Sequence, residues 1–538
     1  MFNKLKSFES NFTITRAAFI VGFFALLSKL IALVREPLFA STFGGPKIYI
    51  WDIYNAAFRL PDFIMNVFIL GTLSVVLIPV FVELLVEDKK RAQDFANTIA
   101  TLAMLTIGGS LVLLYILAYP VTKALVPGFD ISQLQQTVSL TRIIILAQII
   151  FILSNICSNL LYSYKRFIMA GVAPVLYNLG IISGVLFFYP AFGIEGLGYG
   201  VLLGAAAHLL IQLPELRRCS FRLRPAWNIH DKAMLKFCKL YVPRIFAVDL
   251  SVFALLVSTY IASKFKTGSI AIFTLALNVT SMPVSIVALS LATAIFPALS
   301  EAYAQGQEEK FLSMLKKTLV QVFYFMVPVT LLMLVFRAQG VRLYVGHGNF
   351  TWENTILTFS ILGILAFALI SQSVIPILAR AFYSRQNTII PLGVNLTSLF
   401  VFVLLAFMLQ NHFGIYGVAA AFAIASIFNA LVLFIILRLK LYQEITDKSK
   451  LVQFDEGLFL TSVKIVVASI AMAVVSYGGL YLFEPLVNTH TTIGLLVQVT
   501  GAGIFGLIVF FTVSSLLQLK ESQIIIDYLK RILSRGQF

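Results

Sequence analysis

The sequence predicts an all-α polytopic membrane protein, and three observations carry that reading. Of 538 residues, 59% are hydrophobic and only 12% are charged, against about 25% charged in a soluble domain. Mean hydropathy is +0.93. Apolar runs of about 18 residues or more recur from end to end, each long enough to cross a bilayer. Long stretches are apolar all round, where a soluble core would show amphipathic periodicity.

A window of about 20 residues places about 14 spans. They lie near 17–40, 54–82, 95–119, 139–162, 171–190, 195–214, 238–262, 270–298, 314–336, 354–377, 388–409, 414–437, 459–484 and 493–518. Lys4, Lys6 and Arg16 precede the first run, which is too long for a signal h-region and has no A-x-A site after it. It is expected to stay as an anchor. Pro37 should interrupt the first span and Pro61 should kink the second. The longest polar link runs from Pro214 to Lys239 and is rich in Arg and Lys. No soluble domain is inserted.

The formal net charge is +16. The bases sit in short loops between spans, so the positive-inside rule explains them better than nucleic-acid binding does. With the N-terminus in the cytoplasm, roughly 28 of the 40 Lys and Arg fall on the cytoplasmic side, roughly 6 outside and roughly 6 within spans. An even span count returns the C-terminus to the cytoplasm. Cys157, Cys219 and Cys238 have no metal-ligand spacing and read as small apolar-facing side chains.

The chain also repeats itself. Pro79 to Glu83 echoes Pro297 to Glu301, and Tyr162-Ser-Tyr-Lys-Arg echoes Tyr383-Ser-Arg. Pro174 and Asn178 echo Pro391 and Asn395, and Phe192-Gly-Ile-Glu-Gly196 echoes Phe413-Gly-Ile-Tyr-Gly417. The offsets are all about 217–221 residues, in one order. Six spans is an even number, so this is a parallel repeat of two six-helix bundles. The expected division is 1–216, 217–445, and a pair of extra helices in 446–538. Two parallel bundles with a cavity between them suit a transporter that works by rocking.

Charges inside spans locate the chemistry. A charge at the centre of a spanning helix costs about 2.5–3.5 kcal/mol, so such residues face protein or a water-filled cavity. In span 2, Asp52, Asn55, Arg59, Asp62 and Asn66 follow spacings of 3, 4, 3 and 4, one helical stripe. In span 1, Lys29 and Glu36 share one face, and Ser28 and Arg35 the neighbouring one. Interfacial placement competes for Asp52, and snorkelling competes for Arg35. Fixed cations in a low dielectric suit phosphate or pyrophosphate, with Arg as a fork and Lys as a point charge. Asp249 lies near the middle of span 7 with Arg244 just before it. It reads equally as a cation or proton site or as one half of an ion pair.

Enzyme signatures are missing: no G-x-S-x-G, no H-E-x-x-H and no Walker loop. The five histidines have no metal spacing. No cofactor is expected, and no nucleic-acid partner. Transport would draw on Na+ or H+, or on the membrane potential, worth about 2.3 kcal/mol per charge per 100 mV.

These residues carry a family resemblance. Ser28-Lys29, Arg35-Glu36, Asp52, Phe58-Arg59-Leu60-Pro61, Gly71, Ser74 and Pro79 resemble the MurJ/MviN pattern. So do Phe167, Ala173-Pro174, Asn178, Pro243-Arg244, Pro283, Phe296-Pro297 and Ala379 to Arg385. The resemblance implies the MATE-like multidrug/oligosaccharidyl-lipid/polysaccharide exporter fold. It implies flipping of lipid II, the undecaprenyl-pyrophosphate-linked peptidoglycan precursor, across the bacterial cytoplasmic membrane, alongside the cell-wall synthesis machinery. It implies that the last two spans form a groove for the lipid tail. It also makes Lys29, Arg35, Glu36 and Asp52 headgroup-cavity residues, with Asn395 and Thr397 as added oxygen ligands of a coupling ion.

The chain departs from the family pattern at Lys29, where Arg is usual. Met65 and Asn66 replace common bases, Leu70 a common acid, and Asn278 a common Arg. The cavity is thus less basic than the pattern. Two alternatives follow, a flippase for another polyprenyl-pyrophosphate saccharide and a cation-coupled exporter of small solutes or drugs. A non-transporting scaffold is the rival from another class.

Overall fold

The computed structural model describes residues 14–69, 73–245, 250–445 and 447–523. Among these residues every regular element is helical. In chain order the helices are α1 (Ile14–Phe43), α2 (Ile48–Phe68), α3 (Leu73–Glu87), α4 (Lys89–Ile116), α5 (Ala118–Leu125), α6 (Ile131–Ser163), α7 (Phe167–Phe192) and α8 (Ile194–Arg218). Then come α9 (Lys232–Ile245), α10 (Leu250–Ala262), α11 (Ser269–Ala304), α12 (Glu308–Val335), α13 (Arg337–Val345), α14 (Trp352–Ala366) and α15 (Ala368–Ser384). The last four are α16 (Ile389–Phe413), α17 (Ile415–Glu444), α18 (Lys448–Phe483) and α19 (Thr492–Leu516).

Among the described residues ten helices are long and apolar enough to cross a membrane, or eleven if α14 and α15, bent by 43° at their junction, form one span. The other three of the about fourteen expected spans fall on α1, on α2 with α3, and on α9 with α10. Pro37 and Pro61 lie inside α1 and α2 without ending them. The expected interruption at Pro37 is therefore corrected. Spanning helices tolerate proline because neighbours and local adjustment re-satisfy the freed carbonyl. One-turn π-bulges sit within α4, α7 and α11, at Met104–Gly108, Gly184–Phe188 and Val284–Ala288.

The chain forms two compact units, residues 1–271 with 348–350, and 272–347 with 351–538. In the first, α6 packs on α2 and α8, and α7 packs on α1 and α8. The α7–α8 contact runs on glycines at four-residue spacing. A Cβ on Gly180 would stand 2.4 Å from the Cα of Gly204, and one on Gly200 the same from Gly184. Only bare backbone fits so close a crossing. In the second unit, α12, α15, α17 and α18 share one apolar core. There α18 and α19 pack along each other, with Gly506 against Ser476 and Gly479 against Ala502.

The polar link after α8 is not a free loop. It lies extended along the first turns of α4. Gln93 donates to the carbonyl of Ser220 and Asn97 to that of Arg222. The amides of Arg224, Ala226 and Asn228 donate to Asn97, Thr101 and Thr98. Every second residue of an extended strap faces the helix, and Gln93, Asn97 and Thr101 stand at i, i+4 and i+8 to receive it. Arg91 closes the far end with two 2.8 Å bonds to Asp231.

The sequence echoes fold alike. Lys165 and Gln386 both take left-handed backbone, at φ 60° and 57°. Lys165 N–H donates to the carbonyl of Tyr162 and Gln386 N–H to that of Tyr383. Arg166 N–H then reaches Leu161, and Asn387 N–H reaches Phe382. Gly193 (φ 63°, ψ −144°) and Gly414 (φ 57°, ψ −136°) make the same sharp entry into α8 and α17.

Candidate functional site

The charged stripe lies in the first unit, on α2. Asp52, Asn55, Arg59, Asp62 and Asn66 occupy one continuous helix, so their spacing does place them on one side. Their partners differ. Asp52 is 4% exposed, and its carboxylate accepts from the backbone N–H groups of Gly268 and Ala271. These are orphan donors at the start of α11, where a carboxylate also meets the positive end of the helix dipole. Both Asp52 oxygens are thus engaged in fixing α2 to the first turn of α11.

Arg59 is half-buried, and its Nε donates to Thr259 Oγ1 of α10 at 2.9 Å. Asp62, one turn on, accepts from Gln148 Nε2 of α6 at 2.7 Å. The amides of Asn55 and Asn66 bond back to the carbonyls of Trp51 and Asp62, at 3.1 and 2.8 Å. Asn55 and Asn66 therefore spend donor capacity on their own helix.

On α1, Arg35 pairs with its neighbour Glu36 at 2.9 Å, and the Glu36 residue is 8% exposed. The two are partly or fully desolvated, and a guanidinium held by one carboxylate still has donors for an anion. Ser28 accepts from Asn178 Nδ2 of α7 at 3.1 Å. Lys29 is exposed on the protein surface. Tyr54 is buried between Phe39 and Phe58, with ring centroids 4.6 and 4.9 Å away, and walls this side of the stripe.

Of the second-half candidates, only Asn395 and Thr397 have described side chains. Asp249 lies outside the described residues, and the backbone of Arg244 is helical within α9. Asn395 accepts from Asn429 Nδ2 at 2.8 Å. Thr397, two positions on and about 200° round α16, bonds back to the Gly393 carbonyl and is exposed. Asn395 and Thr397 thus look different ways. Among the described residues no group of three or more His, Cys, Asp or Glu stands together as a metal site.

Two side-chain partners of the stripe, Gln148 and Thr259, escaped sequence reading. Gln148 left a signal, being a lone amide inside the apolar run Ile143 to Leu153. Thr259 left none, because a threonine in a spanning helix usually bonds its own backbone, as this one also does to Leu255. A second polar knot was missed as well. Ser154 Oγ lies 2.6 Å from His208 Nδ1, and Gln212 bonds Ser154, with Ser158 donating to Gln212.

The second unit holds a different feature, an apolar groove of about 640 Å³ with Leu319, Phe323, Ile370, Leu431, Phe434 and Phe459 in its walls. Its polar edge is the Arg438–Asp455 ion pair at 2.7 Å. The break between α14 and α15 at Phe367 opens onto it.

Known proteins resemble this chain over nearly its whole length. The family model described as lipid II flippase MurJ matches residues 39–497. The probable lipid II flippase MurJ of Buchnera aphidicola subsp. Acyrthosiphon pisum is 26% identical over 474 residues, covering 86% of this chain and 90% of that one. The Rickettsia prowazekii protein of the same description is 24% identical over 517 residues, covering 94% and 98%. A solved structure of lipid II flippase MurJ in an inward closed conformation superposes with a TM-score of 0.74 at 21% identity, over 93% of this chain and 98% of that one. An inward-facing multidrug resistance MATE family transporter of the MOP superfamily gives 0.63 at 17% identity, over 77% and 95%. The fold is therefore that of the MATE-like transporters. With the family model matched across most of its length, this membrane-spanning chain belongs to the MurJ lipid II flippase family.

Proposed function

We propose that this protein flips lipid II across the bacterial cytoplasmic membrane by alternating access. The observation that carries the reading is the family match across residues 39–497. The charge pattern of the first unit agrees with it. In this reading Arg35 and Arg59 hold the pyrophosphate of the undecaprenyl-linked precursor, with Lys29 and Arg244 as further cations. Glu36 and Asp62 orient their neighbours, and Ser28, Asn55 and Asn66 supply neutral polar contacts. Asp52 serves by fixing α2 to the start of α11. The prenyl tail lies in the apolar groove beside α18, where a hydrocarbon loses no hydrogen bond. That gives the division 1–216, 217–445 and 446–538 its meaning: two bundles, and an appended pair of helices that completes the tail site.

Drive comes from the membrane potential or from a Na+ or H+ gradient, with Asp249 as the coupling group. Both termini lie in the cytoplasm, and the cell-wall synthesis machinery receives the flipped precursor. The test is rescue of a bacterium depleted of its own flippase. Wild type should restore growth, and Arg35→Gln and Arg59→Gln should each fail at equal expression. Full rescue by both variants overturns the site. Native mass spectrometry should show lipid II retained over undecaprenyl phosphate, and equal retention overturns the substrate.

A further inference from the structure

The second unit carries a basic pocket that the flipping reading does not use. It has a volume of about 690 Å³ and is enclosed by the first turns of α12, the first half of α18 and the segment after α19. Five lysines line it against two glutamates. Lys450 answers one of those acids, Glu309, at 3.3 Å.

The deeper lysines have no such answer. Lys464 Nζ donates to the carbonyl of Leu517, at the C-terminal end of α19, at 3.0 Å. Lys316 reaches across α18 to the carbonyl of Gln453 at 3.5 Å. It can do so because residue 457 is glycine: a Cβ there would stand 2.0 Å from Lys316 Nζ. Both lysines are half-buried residues, and among the described residues neither meets a carboxylate. Carbonyls satisfy their hydrogens and leave their charge. Lys317 and Lys520 stand exposed at the rim. Like charges gathered around a partly desolvated hollow repel, and an anion relieves them.

The walls add a second hint. Leu460 lies between the polar groups and is 59% exposed, and Phe459 beside it is 72% exposed. A basic pocket between spanning helices with an apolar flank suits a phosphate attached to acyl chains. We propose that this pocket binds a phosphate group, held by Lys316 and Lys464 with Lys317 and Lys520 at its mouth. The headgroup of an anionic phospholipid and a soluble phosphate compound share that chemistry.

The experiment uses the full-length protein, delipidated in detergent and free of lipid II. Native mass spectrometry measures retention of phosphatidylglycerol against phosphatidylcholine, and thermal unfolding measures protection by inorganic pyrophosphate. The variants are Lys316→Gln with Lys464→Gln, Gly457→Ala, which displaces the Lys316 head without removing a charge, and Lys440→Gln as an exposed control outside the pocket. Wild type should prefer phosphatidylglycerol by about tenfold. The double variant should lose that preference, Gly457→Ala should weaken it several-fold while unfolding normally, and Lys440→Gln should keep it. Protection by pyrophosphate that the pocket variants lose, without a lipid preference, assigns the site to a soluble phosphate. If the double variant and Gly457→Ala match wild type toward both probes, the proposal is overturned.

Discussion

The two repeated halves agree in backbone and disagree in charge. The left-handed turns at Lys165 and Gln386 make the same pair of hydrogen bonds. The entries at Gly193 and Gly414 differ by only a few degrees. Yet at the 218-residue offset that aligns Pro79 with Pro297, Asp52, Arg59 and Asp62 meet Ile270, Leu277 and Thr280. A turn's geometry tolerates few residues, so both copies keep it. A charge inside the membrane is costly unless it is used, so one copy sheds it. Asymmetry between duplicated halves is therefore a pointer to chemistry, and it is on α2 that the proposed function places the site.

The comparison breaks most readily at Arg59. Replacing it with the residue its counterpart carries, Arg59→Leu, should abolish rescue of a flippase-depleted strain while leaving membrane insertion and yield intact. Growth at wild-type rate would mean that the asymmetry is decorative. Next comes Asp52→Ala, which strips the acceptor from two buried N–H groups. It should cost about 3 kcal/mol, read as a lowered unfolding temperature in detergent, with Asp52→Asn losing less because the amide oxygen still accepts. An unchanged unfolding temperature would return Asp52 to the list of direct ligands.

The shared backbone is tested by paired substitutions. Gly193→Ala and Gly414→Ala each force a side chain into a conformation that is almost glycine-only, at about 1–3 kcal/mol. A Cβ at Gly193 meets nothing within 4 Å, so the effect there is pure backbone strain. The two variants should lose similar stability, and a wide disparity would sever the parallel. Lys165→Gly and Gln386→Gly should each gain up to about 1 kcal/mol by relieving left-handed backbone. The smallest effect belongs to the strap after α8, which contributes no charge to the stripe. The Arg91 guanidinium, hydrogen-bonded to Asp231, holds that carboxyl below its usual value of 3.8. A lowered folded-state value adds stability above the usual value, and this is lost as pH falls through the depressed one. Unfolding temperature should therefore sag below about pH 4 in wild type and sag less in Asp231→Asn.

The membrane class, the helical repeat and the polar stripe were legible because each rests on a one-dimensional pattern: hydropathy, a recurring motif, and 3-4-3-4 spacing. Pro37 misled, since its helix-breaking rule was framed for water-exposed helices, and α1 runs on to Phe43. Long-range pairings were out of reach. Nothing near Asp52 in the chain announces Gly268 and Ala271, more than 200 positions away. Gln148 was visible as an oddity but not as a partner of Asp62. Asn395 and Thr397 came only from the family resemblance as added ligands of a coupling ion, and their separate partners, Asn429 and the Gly393 carbonyl, were not readable from the chain.

The strap along α4 has a consequence for handling the protein. Its arginines, Arg222 and Arg224, with Arg217 and Arg218 at the end of α8, make the link between α8 and α9 the obvious target for trypsin. A protease must draw an extended stretch of substrate into its own cleft, and here the carbonyls of Ser220 and Arg222 and the amide of Arg224 are already engaged by α4. Brief digestion of the native protein should leave the chain uncut between α8 and α9, and scission there would report that the start of α4 has let go.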